Sequence, residues 1–175
     1  MKYLGIDAST KSTGIAVFDE DKLVAHDCLK ASSTDVIKRI TKIITQLNTV
    51  IEVHKPDIII LEEVIPKDTG DDFRTLQTRR VLMWLQAAIN FLCHENYPNI
   101  KIEYVYPNEW RSWIGIKTGA GVHRESLKSK DIAWVQENFG LTLNDDEADA
   151  IGIVCGYKKK MIGEVPKEVK PKGAW

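Results

Sequence analysis

Four acids of this chain stand where chemistry would need them. Asp7 closes a short apolar run, Leu4-Gly5-Ile6. Small and hydroxylated residues follow it, Ala8-Ser9-Thr10-Lys11-Ser12-Thr13, and then Gly14 opens a second apolar run. That pattern predicts a strand, a tight turn and a returning strand. A carboxylate at such a point either ligates a metal or caps the turn by accepting backbone N–H bonds, and both readings stay open on this stretch alone. Glu62 and Glu63 end the apolar run Ile58-Ile59-Ile60-Leu61. Asp146 and Asp149 lie three residues apart on a predicted helix and so share a face. Taken singly, acids at a helix start more often answer the macrodipole, and a glutamate pair more often marks the polar end of a strand. Taken together, each acid sits where an element ends. If strands one and four are parallel neighbours, Asp7 and Glu62 share one sheet edge, and the helix brings Asp146 and Asp149 opposite them. Four converging carboxylates repel one another unless cations intervene. Two Mg²⁺ ions about 4 Å apart would meet that need, with Mn²⁺ as the alternative, since hard cations take oxygen ligands. One ion would activate a water; the other would stabilise the leaving oxygen of a phosphodiester.

The elements that must position these acids follow from the remaining pattern. Residues 2–7, 13–19 and 22–29 read as three strands, the last two joined across Asp19-Glu20-Asp21. Ser32-Ser33-Thr34-Asp35 offers N-caps to a helix with the stripe Val36, Ile37, Ile40, Ile43, Ile44, Leu47, Val50 and Ile51, ending near His54 before Pro56. The run from Asp57 to Leu61 suits a strand buried on both faces, at the centre of a sheet. Residues 66–72 read as a loop. A long helix is expected from Phe73 to Asn96, with Leu76, Val81, Leu85, Ala88, Ile89 and Leu92 inward. A strand from Ile100 to Val105, a short helix from Pro107, a loose basic stretch from Gly115 to Gly121, a helix from Glu125 to Phe139 and a last helix capped at Asn144-Asp145 complete the order. Three strands, then alternating helices and strands, give a mixed α/β sheet with helices on both faces. The pattern does not give the strand order.

Length and composition bound the function. At 175 residues with 43% hydrophobic and 28% charged side chains, the chain reads as one globular domain with a substantial core. The expected division is a domain over 1–160 and a lysine-rich flexible tail over 161–175. No apolar run approaches the roughly 18 residues of a membrane helix, and Asp7 interrupts any secretory h-region. No membrane partner is expected. Cys28, Cys93 and Cys155 are odd in number and widely spaced, which suggests reduced thiols in a cytoplasm. Net charge is −1, but its distribution is uneven. Lys117, Arg124, Lys128 and Lys130 face one acid, Glu125, over that stretch, and Lys158, Lys159 and Lys160 begin a run of six lysines set against Glu164 and Glu168. Solvated faces are the commoner use of such charge. Basic flanks around acidic clusters also suit an enzyme that grips a polyanion with lysines and holds metals with carboxylates.

Three pieces in order carry a resemblance: Gly5-Ile6-Asp7-x-Ser9-x-x-x-Thr13-Gly14, Leu61-Glu62-Glu63-Val64, and Asp146-Glu147-Ala148-Asp149-Ala150-Ile151-Gly152-Ile153. Over residues 1 to about 157 the chain resembles RuvC-type Holliday-junction resolvases, most of all the short phage-borne forms. The resemblance implies an RNase H-like fold, a five-stranded mixed sheet flanked by helices. It implies a homodimer that cuts branched DNA, chiefly four-way junctions, at two symmetric strands and leaves 5′-phosphates. The family's catalytic acids carry over to Asp7, Glu62, Asp146 and Asp149; Glu62 matches better than Glu63 because it directly follows the apolar run. The family's catalytic lysine, at the start of the penultimate helix, carries over to Lys128 or Lys130, with Lys130 preferred. The dimer face is expected on the long helix, with Trp84 and Leu85 as candidates. Two features depart from the family. The residue three past the acid is Ile65 where the family has a junction-entering aromatic, Phe73 being the nearest, and the lysine-rich tail has no counterpart. Neither cleavage sequence nor a helicase partner can be read from these residues.

Two rivals remain. Sugar kinases and Hsp70-type ATPases also open with Gly-Ile-Asp and a hydroxylated turn, but they close two such lobes on a nucleotide, and here there is one lobe without a second phosphate loop. A non-catalytic module of the same fold, binding branched DNA, is the other.

Overall fold

The computed structural model describes residues 1–64, 73–119 and 122–163. The expected loop at 66–72, Ile65, Ala120, Gly121 and the tail from 164 onward lie outside the described residues. Three strands come first, β1 (Lys2–Asp7), β2 (Ser12–Asp19) and β3 (Lys22–Lys30). Helix α1 (Val36–His54), β4 (Ile58–Glu62), α2 (Phe73–Asn96) and β5 (Lys101–Val105) follow, then α3 (Pro107–Trp113), α4 (Arg124–Phe139) and α5 (Asp145–Ile162). The expected order of elements holds throughout, and α5 runs two residues past the expected domain boundary at 160.

The sheet order is β3-β2-β1-β4-β5. Strands β1, β2 and β3 form an antiparallel meander, whereas β4 and β5 run parallel to β1. The parallel pairs need crossovers, and α1 and α2 supply them. Both helices lie on one face, where Leu4, Ile6, Ile15, Val17, Ile59 and Leu61 meet Ile43, Leu47, Ile51, Leu85 and Ile89. The other face, with Ala16, Phe18 and Ile60, is covered by α3, α4 and α5 through Trp110, Val135, Ala150, Ile153 and Val154. Fully burying one such aliphatic side chain contributes about 1.5–3 kcal/mol.

Local chemistry sets the helix ends. Asp35 caps α1 by accepting from the backbone N–H of Ile37 at 2.8 Å and Lys38 at 3.2 Å. Lys55, with φ of 50°, closes the helix ahead of Pro56. At α5, Asn144 accepts from the Glu147 N–H at 2.9 Å and its amide donates to the Glu147 carboxylate at 2.6 Å. Helix α5 lies directly on β1 and β2 because those strands present glycines to it. A Cβ on Gly14 would overlap the Asp146 carbonyl, and one on Gly5 would meet the Ala150 carbonyl and Val154.

Two expected core positions are corrected. Leu76 is 52% exposed and Ile37 is 59% exposed. The periodic stripe of each helix continues past the part that lies on the sheet: burial on α2 begins only at Leu85, and on α1 at Ile40. Leu85 is fully buried, so it does not belong to an outer face as expected, whereas Trp84 is 44% exposed. Among the described residues, no helix is long and apolar enough to cross a membrane. Cys28, Cys93 and Cys155 are all free thiols.

Candidate active site

Strand alternation decides where the acids point. Successive side chains on a strand face opposite ways. On β1, Leu4 and Ile6 enter the α1/α2 core, so Gly5 and Asp7 face α5, and Gly5 indeed abuts Ala150. On β4, Ile59 and Leu61 share that first core while Ile60 packs with the second, so Glu62 also faces α5. Ile6 pairs with Leu61 in the parallel register, which leaves Asp7 and Glu62 side by side at the strand ends. Asp7 also pairs with Gly14, the residue on which the first turn of α5 rests.

All four acids line one open cleft of about 500 Å³, together with Ser9, Glu63, Arg79, Gln86, Asn108, Arg111 and Lys128. Each acid is held differently. Ser12 donates its hydroxyl to Asp146 Oδ2 at 2.5 Å, and the Cys28 thiol lies 3.6 Å from the same oxygen. Glu62 Oε2 accepts from the indole Nε1 of Trp110 at 2.8 Å and lies 3.8 Å from Arg111 NH1. The Gln86 amide pins the Glu62 carbonyl at 2.7 Å. Arg111 NH2 lies 3.1 Å from Asp149 Oδ2. The Asp7 carboxylate takes no hydrogen bond from the described residues, so its turn-capping role is not realised in this conformation.

The electrostatics follow from crowding. Asp7 is pushed up to about 7, first by burial and then by the neighbouring charges of Glu62 and Asp146, with Arg111 and Lys128 opposing. Part of its surface still reaches the cleft, but the groups around it replace most of its water. Asp149 and Asp131 are both pushed upward, chiefly by burial. Neither buried Oδ1 takes a donor from any other group, and the two carboxyls hydrogen-bond to each other. Two such carboxylates side by side hold a proton more readily than either would alone.

The donor set suits a hard divalent cation. It is all oxygen, its acids repel one another, and Asp149 Oδ1 is a buried acceptor with no donor beyond the neighbouring Asp131 carboxyl. Among the described residues, no three acidic, imidazole or thiol groups already stand within joint reach of one ion. Side-chain rotation within the cleft would have to complete the ligand shell.

The basic residues divide. Lys128 lines the cleft and pairs with Asp145. Lys130 is exposed and lies outside the cleft lining. Lys117 is exposed in the segment between α3 and α4, and the side chain of Arg124 is outside the described residues. Lys158 pairs with Asp21 and donates to the Glu20 carbonyl, at the hairpin that lies at the other end of β1 from Asp7. Lys160 pairs with Glu109 at 2.8 Å. Twelve residues of helix separate Asp146 from Lys158, about 18 Å at 1.5 Å per residue.

Several contributors to the cleft escape a reading of the sequence alone: Ser12, Trp110, Arg111 and Asp131. Their roles depend on partners 20 to 134 residues away, as in Arg111–Asp131 and Ser12–Asp146. The one local signal is Asp131, an acid in the middle of an otherwise amphipathic helix, which is only 1% exposed.

A mixed sheet in this order, with helices on both faces and acids gathered at the β1/β4 edge, defines the RNase H-like class. A profile of the family described as crossover junction endodeoxyribonuclease RuvC matches residues 3–103. A curated protein of that name from Prochlorococcus marinus subsp. pastoris is 27% identical over 162 residues, covering 87% of this chain and 93% of its own. Among solved structures, Thermus thermophilus RuvC in complex with Holliday junction substrate superposes with a TM-score of 0.70 at 15% identity, covering 94% of this chain and 98% of its own. The yeast mitochondrial Holliday junction resolvase Ydc2 gives 0.54 at 16%, covering 90% and 77%. These two likenesses are of fold. The chain belongs to the RuvC family of crossover junction endodeoxyribonucleases, hydrolases that cleave DNA. That family depends in general on divalent metal ions.

Proposed function

We propose that this protein hydrolyses DNA strands at four-way junctions, with Asp7, Glu62, Asp146 and Asp149 as ligands for two Mg²⁺ ions, or Mn²⁺ in their place. The observation that carries the proposal is the gathering of four acids from β1, β4 and α5 on one cleft in a chain of this family. Bound to these carboxylates, the ions would lower the pKa of an attacking water and stabilise the leaving O3′. Water adds to phosphorus, the P–O3′ bond breaks, and the products are a 3′-hydroxyl and a 5′-phosphate.

The chain's own contribution is geometry and charge. Asp7 and Glu62 stand on adjacent parallel strands, whose spacing of about 4.8 Å is fixed by the ladder. Ser12 and Trp110 orient the other oxygens. Lys128 is the cation we assign to the scissile phosphate, in preference to Lys130, because it stands on the cleft wall. A phosphate entering the cleft would compete with Asp145 for its ammonium. Lys117, exposed between α3 and α4, is assigned to the DNA backbone, and so, on the family resemblance, is Arg124.

A second copy of the chain would bring two clefts to the two strands. The outer side of α2 supports this: Met83, Trp84 and Phe91 are 54%, 44% and 69% exposed. That is more apolar surface than a single helix usually leaves in water.

The test is a labelled four-way junction, a Y-fork and a linear duplex, incubated with Mg²⁺ or EDTA. Cleavage of the junction in Mg²⁺ alone is expected. Binding to the junction without cleavage in Mg²⁺ or in Mn²⁺ would instead identify a non-catalytic module. ATP hydrolysis without cleavage would point to the nucleotide-binding rival.

A further inference from the structure

A fifth carboxylate stands behind the cleft, and the proposed chemistry does not use it. Asp131, in the middle of α4, is 1% exposed. Its Oδ2 accepts from Arg111 Nε at 2.9 Å and lies 2.9 Å from Arg111 NH2. The same guanidinium reaches Asp149 Oδ2 at 3.1 Å and comes within 3.8 Å of Glu62 Oε2. Its plane lies over the Trp110 ring at 4.1 Å, and NH1 donates to the Pro107 carbonyl at 3.4 Å. One buried cation is therefore shared among three acids, two of them metal ligands in the reading above.

Packing does not account for this arrangement. A buried ion pair is usually no more stabilising than apolar residues of similar size, and Asp131 Oδ1 has no donor beyond the neighbouring Asp149 carboxyl. The sharing has a consequence for any cation that enters. A metal ion held by Asp149 or Glu62 would stand close to the guanidinium that both acids share, and two cations on the same carboxylates repel each other. A guanidinium is permanently charged, so it cannot solve the problem by losing a proton. It must keep a charged partner, and Asp131 is that partner.

We infer that Asp131 is a positioning residue: it anchors Arg111 so that the guanidinium can release Asp149 and Glu62 when the metal enters. This rests on the reading of the cleft as a metal-dependent nuclease centre. Without the charge of Asp131, Arg111 binds Asp149 and Glu62 more tightly and competes with the ion. Outer partners of metal ligands typically change metal affinity by about 10–100-fold when removed, and a loss of about 10-fold is expected here.

The experiment is calorimetric titration of the full chain with Mn²⁺ in the absence of DNA, with circular dichroism melts to show that each variant is folded. Asp131→Asn should bind Mn²⁺ about 10-fold more weakly. Asp131→Glu, which keeps the charge, should stay within about threefold of the parent. In an Arg111→Gln background, Asp131→Asn should change the affinity clearly less than it does in the parent, because no cation remains to be anchored and only the direct contact with Asp149 is lost. A merely structural role would lower the melting temperature of Asp131→Asn and leave its Mn²⁺ affinity unchanged; that result overturns the inference. Asp131→Glu binding more weakly than Asp131→Asn would overturn it too. If Asp131→Asn does not fold, Asp131→Glu decides alone: affinity within threefold supports the anchor and a loss of 10-fold or more refutes it. Asp7→Asn separates the two levels of argument, since it should abolish binding. If Asp7→Asn binds Mn²⁺ normally, the metal reading itself fails and the inference with it. If Asp7→Asn fails to bind while Asp131→Asn binds normally, only the inference is lost.

Discussion

Removing the charge of Asp7 should make the metal-free protein more stable while it destroys the proposed centre. Burial and the fields of Glu62 and Asp146 raise this carboxyl from 3.8 to about 7. In the unfolded chain, Asp7 loses its proton near pH 4. In the folded chain it keeps the proton until about pH 7. Between those values the folded state binds more protons, so stability falls as pH rises through that window. At 1.36 kcal/mol per pH unit, the full displacement is worth at most about 4 kcal/mol, all of it expressed above pH 7. Asp7→Asn keeps the shape and removes the charge. Its melting temperature in EDTA should therefore match the parent's near pH 4 and exceed it increasingly up to pH 7. The gap should then stay constant. For a chain of this length about 1 kcal/mol moves the midpoint by roughly 2–4 °C, so a plateau of about 8–16 °C is the upper expectation. The assay is a series of calorimetric melts from pH 4 to 8, with and without Mn²⁺. In excess Mn²⁺ the parent should gain stability and the variant should not. Parallel curves for parent and variant across the whole range would refute the account of Asp7 as a crowded, desolvated acid.

Lys128→Ala should slow single-turnover junction cleavage by roughly 10²–10³, typical of losing one transition-state charge donor, with binding in Ca²⁺ little changed; Lys130→Ala should behave as a surface change. The reverse pattern would return the role to Lys130. Trp110→Phe removes the indole N–H from Glu62 and keeps most of the packing; a hydrogen bond to a charged group is worth about 1.5–3 kcal/mol, so cleavage should fall by about tenfold or more, and an unaffected rate would show that Glu62 needs no orienting donor. Neutralising Lys158, Lys159 and Lys160 together should leave the slope of log K against log salt nearly unchanged, because these residues lie about 18 Å along α5 from Asp146 and Lys158 and Lys160 already hold acids; a clearly flatter slope would put DNA on that end of the molecule.

The fold was legible where local physics decides it. The alternation on β1 and the unbroken β-branched run of β4 each admit one reading, and Asp35, Asn144 and Pro56 mark helix ends by chemistry that needs no tertiary partner. The strand order was not legible. It depends on β1 pairing with β4 in parallel, a contact between residues more than fifty positions apart. The failures at Leu76 and Ile37 share one cause. A helix keeps its apolar period beyond the part that meets the sheet, and periodicity does not record where the sheet ends.

For the candidate site, the acids could be placed because parity fixes their direction. Once Leu4 and Ile6 are assigned inward, Asp7 must face the other way, and the same count along Ile59 and Leu61 selects Glu62 over Glu63. The place of Lys128 on the cleft wall could have been read by a similar count. Lys128, Asp131 and Val135 recur at three and four residues and so share a face of α4, and Asp131 and Val135 are both buried. Lys130 lies about 200° around the helix from Lys128 at 3.6 residues per turn. What obscured this was the buried acid itself. Asp131 reads as surface in any hydrophobic pattern, which turns the apparent inner face towards Leu127 and Ile132. Only the pairing with Arg111, twenty residues earlier and on another helix, gives a charged residue a reason to be inside. The residue that misleads the pattern is thus the one whose burial most needs a functional explanation.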